Sequence, residues 1–235
     1  ELIDRTRFAI STEETRYYLN GIYLHVFDRD GTPMLRSVST DGHRLASVEL
    51  PLPAGAAGMP GVIVPRKTVG EIRKLIDETG NDVEISLSEA KIRFAFDDAV
   101  LTSKLIDGTF PDYQRVIPVN NDKEMTVNRK ALSDAVDRVS AISSEKSRAV
   151  KLSISGDTLT LSASSAENGT AQEEIEISYG SDTVEIGFNS GYLLDIARQI
   201  DSDTAVFLFA DAASPTIIRG SDEVGTIYVL MPMRV

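Results

Sequence analysis

The sequence predicts an α+β protein built from repeated strand–helix–sheet units, and three observations carry that prediction. A unit made of a short strand, a cap, an amphipathic helix and alternating strands recurs at a spacing of about 60 residues. Inside the units, neighbouring strands alternate apolar and polar residues across tight turns, which means antiparallel sheet. A polar, proline-containing stretch, "VIPVNNDKEM" (116–125), breaks the chain near its middle. The repeat reads as four copies of one βαβ-rich unit, or as two domains of two copies each, 1–119 and 120–235. Helices laid on one face of such sheets give α+β layers rather than a doubly wound fold.

The first copy, "RFAISTEETRYYLNGIY" (7–23), fits the outline of the others. In the second, "VIVPRKTVGEIRKLI" (62–76), Pro65 suits a first helical turn, where its missing N–H costs little. Val69, Ile72, Leu75 and Ile76 then mark a buried face. Strands follow, with Val83, Ile85 and Leu87 on one face, a turn at 88–90, and Ile92, Phe94 and Phe96. In the third copy Asn128 is a good N-cap, and Leu132, Val136, Val139 and Ile142 form the apolar stripe. Its hairpin sets Leu152 and Ile154 before a Gly156-Asp157 turn, with Leu159 and Leu161 after it. In the fourth, Tyr192, Leu193, Ile196 and Ile200 make the stripe after Asn189. The chain closes on "VLMPMRV" (229–235), either a last strand tucked into a sheet or one wall of an exposed apolar pocket.

The chain has 235 residues, 42% hydrophobic and 26% charged, an ordinary globular balance. It has no run of about 18 apolar residues, the length a membrane span needs. The start lacks a basic-then-apolar signal pattern and an initiating Met, which points to a trimmed chain. Cysteine is absent, so disulfides and thiolate metal sites are excluded, in agreement with a reducing cytosol.

A net charge of −12 argues against a tight grip on nucleic acid, which is driven by Lys and Arg meeting phosphates. Where charge sits matters more than its sum. Helix starts favour Asp and Glu, yet Arg66-Lys67 and Arg129-Lys130 both open helices. Solvated surface charge explains either pair alone; the recurrence suggests one face that gathers positive charge, diluted by Glu71, Asp77 and Glu78. Tyr17 and Tyr18, beside Arg16, offer stacking surface for a base or serve as core aromatics.

The most enzyme-like stretch is "STDGHRLA" (39–46). Asp41-Gly42 is first a turn signal between two strands, with His43 and Arg44 opening the second. His43 has no His or Cys partner at ligand spacing, and His25 stands alone in an alternating strand, at the surface or rim. Neither a P-loop nor G-x-G-x-x-G occurs; "AGAAGMPG" and "DGTFPDY" read as loop and turn. No catalytic residue, metal or cofactor is therefore predicted. A hydrolase using Asp41 and His43 is the remaining enzymatic alternative.

"RYYLNG" (16–21), "TDGHRLA" (40–46), "VIVPRK" (62–67), "TSKLIDGTFPDY" (102–113) and "MPMRV" (231–235) occur in this order. Together they resemble the bacterial DNA polymerase III beta subunit family, the sliding clamps, over essentially the whole chain. The match is to the second and third domains; the family's first domain has no counterpart here. The resemblance implies two clamp domains, each a pair of βαβ-type repeats with antiparallel sheets outside and helices on the inner face. It implies a non-catalytic processivity factor that encircles duplex DNA as a head-to-tail homodimer in the cytoplasm. It puts Arg16, Tyr17, Tyr18, Arg66, Lys67, Arg129 and Lys130 near DNA. Short clamp-binding motifs of polymerases, clamp loader and repair proteins would dock in a groove between the two domains. By motif match that groove takes Leu19, Thr40, Gly42, His43, Arg44, Leu45, Pro111, Arg115 and Val116 from one part of the chain. Met231, Pro232, Met233, Arg234 and Val235 come from the end, with Asn189, Tyr192 and Pro215 near the edge. Apolar pockets with a few polar anchors and adaptable Met suit peptide capture. Ile142 and Ser143 match the dimer face, Ser143 standing where a second apolar residue is usual. A peptide-binding adaptor that never loads on DNA is the alternative within the same resemblance.

Overall fold

The structure, a computed structural model, describes residues 1–78, 81–143 and 148–235. It divides into two units, Glu1–Asp112 and Tyr113–Val235, so the division falls before the polar 116–125 stretch. The reason is local. Asn121 donates to the carbonyls of Leu208 (2.7 Å) and Pro215 (2.9 Å), and Lys123 to that of Ala210 (2.7 Å). The polar run therefore stitches the second unit together.

In the first unit, β1 (Gly21–Arg29), β2 (Thr32–Thr40), β3 (Arg44–Pro51) and β4 (Val62–Pro65) form an antiparallel sheet in the order β4-β1-β2-β3. Asp30 and Gly31 both take positive φ, the requirement of the two-residue hairpin that pairs Arg29 with Thr32. Helix α1 (Arg66–Glu78) follows directly on Pro65. Strands β5 (Glu84–Leu87), β6 (Lys91–Ala95) and β7 (Val100–Lys104) make a second sheet, with the expected turn between Leu87 and Lys91. Ile22, Val64, Val69, Ile72, Ile92 and Phe94 form the core.

Two expectations need correction here. The first copy contains no α-helix among the described residues. Arg7–Ala9 and Tyr17–Leu19 are 3-10 turns, and the polar 12–15 run between them gives no apolar stripe to bury. Ile76, expected on the buried face, is 37% exposed; with Ile85 (52% exposed) it lines an apolar cavity of about 240 Å³ beside Ile22, Leu24 and Phe94.

In the second unit the strands are β8 (Lys123–Asn128), β9 (Ala149–Ser155), β10 (Thr158–Ser165), β11 (Gly169–Tyr179), β12 (Val184–Asn189), β13 (Thr204–Phe209), β14 (Thr216–Gly220) and β15 (Thr226–Leu230). They are ordered β12-β9-β10-β11-β8-β13-β14-β15, each pair antiparallel. Ser155 pairs with Thr158 across Gly156 (φ 56°), and Leu152, Ile154, Leu159 and Leu161 are fully buried. Helices α2 (Arg129–Ser140) and α3 (Ser190–Ala197) pack on each other and on these strands. Asn128 is the predicted cap, accepting from the Ala131 N–H (2.9 Å), and Asn189 caps α3 in the same way, accepting from the Tyr192 N–H (3.2 Å).

Candidate functional site

The β2–β3 corner of the first unit is built by one carboxylate. Asp41 Oδ1 accepts from the N–H of His43 (2.9 Å) and of Arg44 (3.0 Å), an Asx turn, while Oδ2 accepts from Arg44 Nε (3.1 Å). Thr40 Oγ1 accepts from Gly42 N–H (3.1 Å) and donates to the Arg44 carbonyl (2.7 Å). Arg44 also donates to the Phe8 carbonyl (2.9 Å), its guanidinium 5.0 Å from the Phe8 ring centre. The corner thus presents His43 and Gly42 to solvent over a locked base, with Leu45 buried beneath.

Arg16 joins this corner. It forms a two-pronged ion pair with Glu13 (2.7 and 2.6 Å) and donates to the Asp41 carbonyl (2.9 Å). That guanidinium holds the Glu13 carboxyl below the usual carboxylate range. Gly42 has φ +90°, and a Cβ there would lie 2.6 Å from Arg16 Nη1. Tyr17 is 53% exposed and meets Tyr18 edge-on at 5.7 Å, whereas Leu19 is buried. The structure therefore brings Arg16, Tyr17, Tyr18 and the 40–45 corner together, with the Arg16 charge already paired. Pro111 is exposed at the end of the first unit.

The basic helix starts are alike in sequence and different in setting. Arg66 and Lys67 are exposed and have no acidic partner among the described residues. Lys130 is exposed and paired with Asp134. Arg129 is half-buried, its Nε donating to the Ser202 carbonyl (3.2 Å).

In the second unit the chain end has two parts. Tyr228, Val229 and Leu230 are buried in β15, the tucked strand. Met231 (40% exposed) and Val235 (62%) are outside it. Pro232, lacking an N–H, ends the ladder, and Met233 donates its N–H to the Gly187 carbonyl (2.9 Å) on β12. The tail so runs from β15 to β12, where Gly187 lies two residues from Asn189. It borders a cavity of about 510 Å³ shared with Lys151, Glu185, Ala212 and Ala213. Pro215 is held through its carbonyl by Asn121, and Arg115 and Val116 sit exposed on the 3-10 turn Tyr113–Val116. Ile142 and Ser143 follow α2, Ser143 donating to the Ala149 carbonyl (3.0 Å). Sequence reading missed Gly187 and the Ala212–Ala213 loop; a glycine inside a strand, a mark of close backbone approach, was the available signal.

His25, expected at the surface or rim, is half-buried and stacked on Tyr23 (4.6 Å), which stacks in turn on Phe110 (4.9 Å). No cluster of three or more metal-ligating side chains occurs among the described residues, and no described helix is long and apolar enough to cross a membrane.

Fold and sequence define a clamp-type α+β protein of tandem modules. The description "DNA polymerase III beta subunit, central domain" matches residues 1–112, and "DNA polymerase III beta subunit, C-terminal domain" matches 114–234. The chain belongs to the DNA polymerase III beta subunit family. The beta sliding clamp of Caulobacter vibrioides strain NA1000 is 54% identical over 100% of this chain and 63% of its own length. Crystal structures of sliding clamps align over all of this chain. That from Bartonella birtlesii, bound to griselimycin, has a TM-score of 0.96 at 55% identity and is covered over 63%. That from Caulobacter crescentus has 0.95 at 53% and is covered over 62%. The chain thus spans less than two thirds of the relatives it matches.

Proposed function

We propose that this chain serves as the peptide-docking part of a bacterial sliding clamp. In the full-length protein it would belong to a cytoplasmic homodimeric ring that encircles duplex DNA and keeps the replicative polymerase attached. Its role is binding, without catalysis. Polymerases, clamp loader and repair proteins would dock short motifs against Leu19, the Thr40–Leu45 corner, Pro111, Arg115, Val116, Asn189, Tyr192, Pro215 and the Met231–Val235 tail. Ile142 and Ser143 would lie at the ring's subunit contact.

The observation that carries this reading is the tail: apolar, exposed at Met231 and Val235, and outside the strand ladder. Uncovered apolar residues beside a cavity suit a partner that comes to cover them. The rigid Asp41-based corner supplies polar anchors of the kind such pockets use. Asp41 spends its carboxylate on its own turn, which counts against a hydrolytic role for it and His43. Arg66 and Lys67, without an acidic partner among the described residues, would supply cations for loose phosphate contacts, while Arg16 and Lys130 are neutralised locally. A ring held by topology needs only such loose contacts to slide.

The test is binding of a fluorescent clamp-motif peptide, with griselimycin as competitor. Replacing residues 231–235 by Gly-Ser should abolish binding of both. Unchanged affinity would end the docking account.

A further inference from the structure

The outward row of β12 is Glu185, Gly187 and Asn189; Ile186 and Phe188 point the other way into the core. Glu185 is exposed, yet Gly187 is buried, because the tail lies on it. A Cβ at 187 would strike Val235 Cγ1 and would lie 2.6 Å from the Met233 carbonyl oxygen, a backbone atom that cannot swing aside. Gly187 does not have positive φ, so its own backbone would accept alanine. The close approach of the tail is what requires glycine here. The tail also borders the 510 Å³ cavity, and its Met233 N–H is bonded to the Gly187 carbonyl.

We propose that Gly187 is a positioning residue for peptide docking. Its bare Cα lets Met233 and Val235 lie down beside Asn189, so that the tail is already in place when a partner arrives. Gly187 need not touch the partner. This inference rests on the docking reading above and adds a residue that reading does not contain. A tail seated only a tenth of the time would raise the apparent dissociation constant about tenfold.

Two measurements test it. Hydrogen exchange on the unaltered chain should show the Met233 amide protected at least about tenfold over that of Arg234. Gly187→Ala should abolish that protection, speed carboxypeptidase release of Val235, and weaken a fluorescent clamp-motif peptide about tenfold, with the circular dichroism spectrum unchanged. Equal exchange at Met233 and Arg234 in the unaltered chain overturns the proposal even if Gly187→Ala fails to fold. So does a folded Gly187→Ala chain that keeps both protection and affinity. A freed tail with unchanged affinity also overturns the positioning role. Replacing 231–235 in the same assay then says which reading failed: binding lost leaves the docking account standing, and binding kept removes it as well.

Discussion

Replacing Asp41 separates its structural work from any chemical role. Asp41→Ala removes the acceptor of two backbone N–H groups and the partner of a guanidinium whose side chain is about a tenth exposed. Each backbone bond is worth about 1 kcal/mol here, since the freed His43 N–H can hydrate. The lost Arg44 pairing adds about 1 kcal/mol, moderated because Arg44 keeps the Phe8 carbonyl. The total is about 3 kcal/mol, or roughly 12 °C in the melting of a unit of this size. Asp41→Asn keeps the Oδ1 acceptor and loses the Arg44 pairing, hydrogen bond and charge together, about 1 kcal/mol or roughly 4 °C. Differential scanning calorimetry reads both. Peptide affinity should fall with Asp41→Ala and stay near normal with Asp41→Asn. Equal destabilisation by the two variants would refute the turn-based account of this corner.

Other expected outcomes concern charge and pH. Arg66→Glu with Lys67→Glu, in the full-length ring, should lower the slope of log affinity against log salt for DNA by about 2, measured by fluorescence anisotropy. Burial lowers the His25 pKa, with Arg36 acting the same way and the Val26 carbonyl and Glu49 opposing. The unfolded chain then takes up a proton near pH 6.5 that the folded one refuses, so first-unit stability is full above that pH and declines below it. His25→Phe should flatten the decline in urea midpoints between pH 7 and pH 5. Asp211 accepts from Ala213 N–H (2.8 Å), Ser214 N–H (2.7 Å) and Ser214 Oγ (2.9 Å), which hold its pKa below the carboxylate range. Its loop should therefore stay ordered at pH 4 and loosen only as pH falls through that lower value, visible in the chemical shifts of Ala213 and Ser214.

Much of the fold was legible because local chemistry and tertiary structure agree. The alternation around Gly156-Asp157 needs no partner beyond its own hairpin, and all four predicted apolar residues are buried. Asn128 and Asn189 announce helix starts that they then cap. What failed depended on neighbours the pattern does not name. Ile76 has the right spacing, but spacing identifies a face without saying what covers it. Arg129 and Arg66 look equivalent as letters; only the Ser202 carbonyl separates them. The corner and the tail were each readable as motifs. The seat of the tail on Gly187 was not, since it joins β12 to a segment more than forty residues further along the chain.

The ring stack through Tyr23 has a practical use. The chain has no tryptophan and seven tyrosines, so tyrosine dominates its ultraviolet signal. Tyr23, clamped between Phe110 and His25, should give a strong near-ultraviolet dichroic band and report, label-free, on the integrity of its half of the molecule. Protonating the imidazole would dim its emission, so one cuvette experiment would follow both unfolding and the charge state of His25.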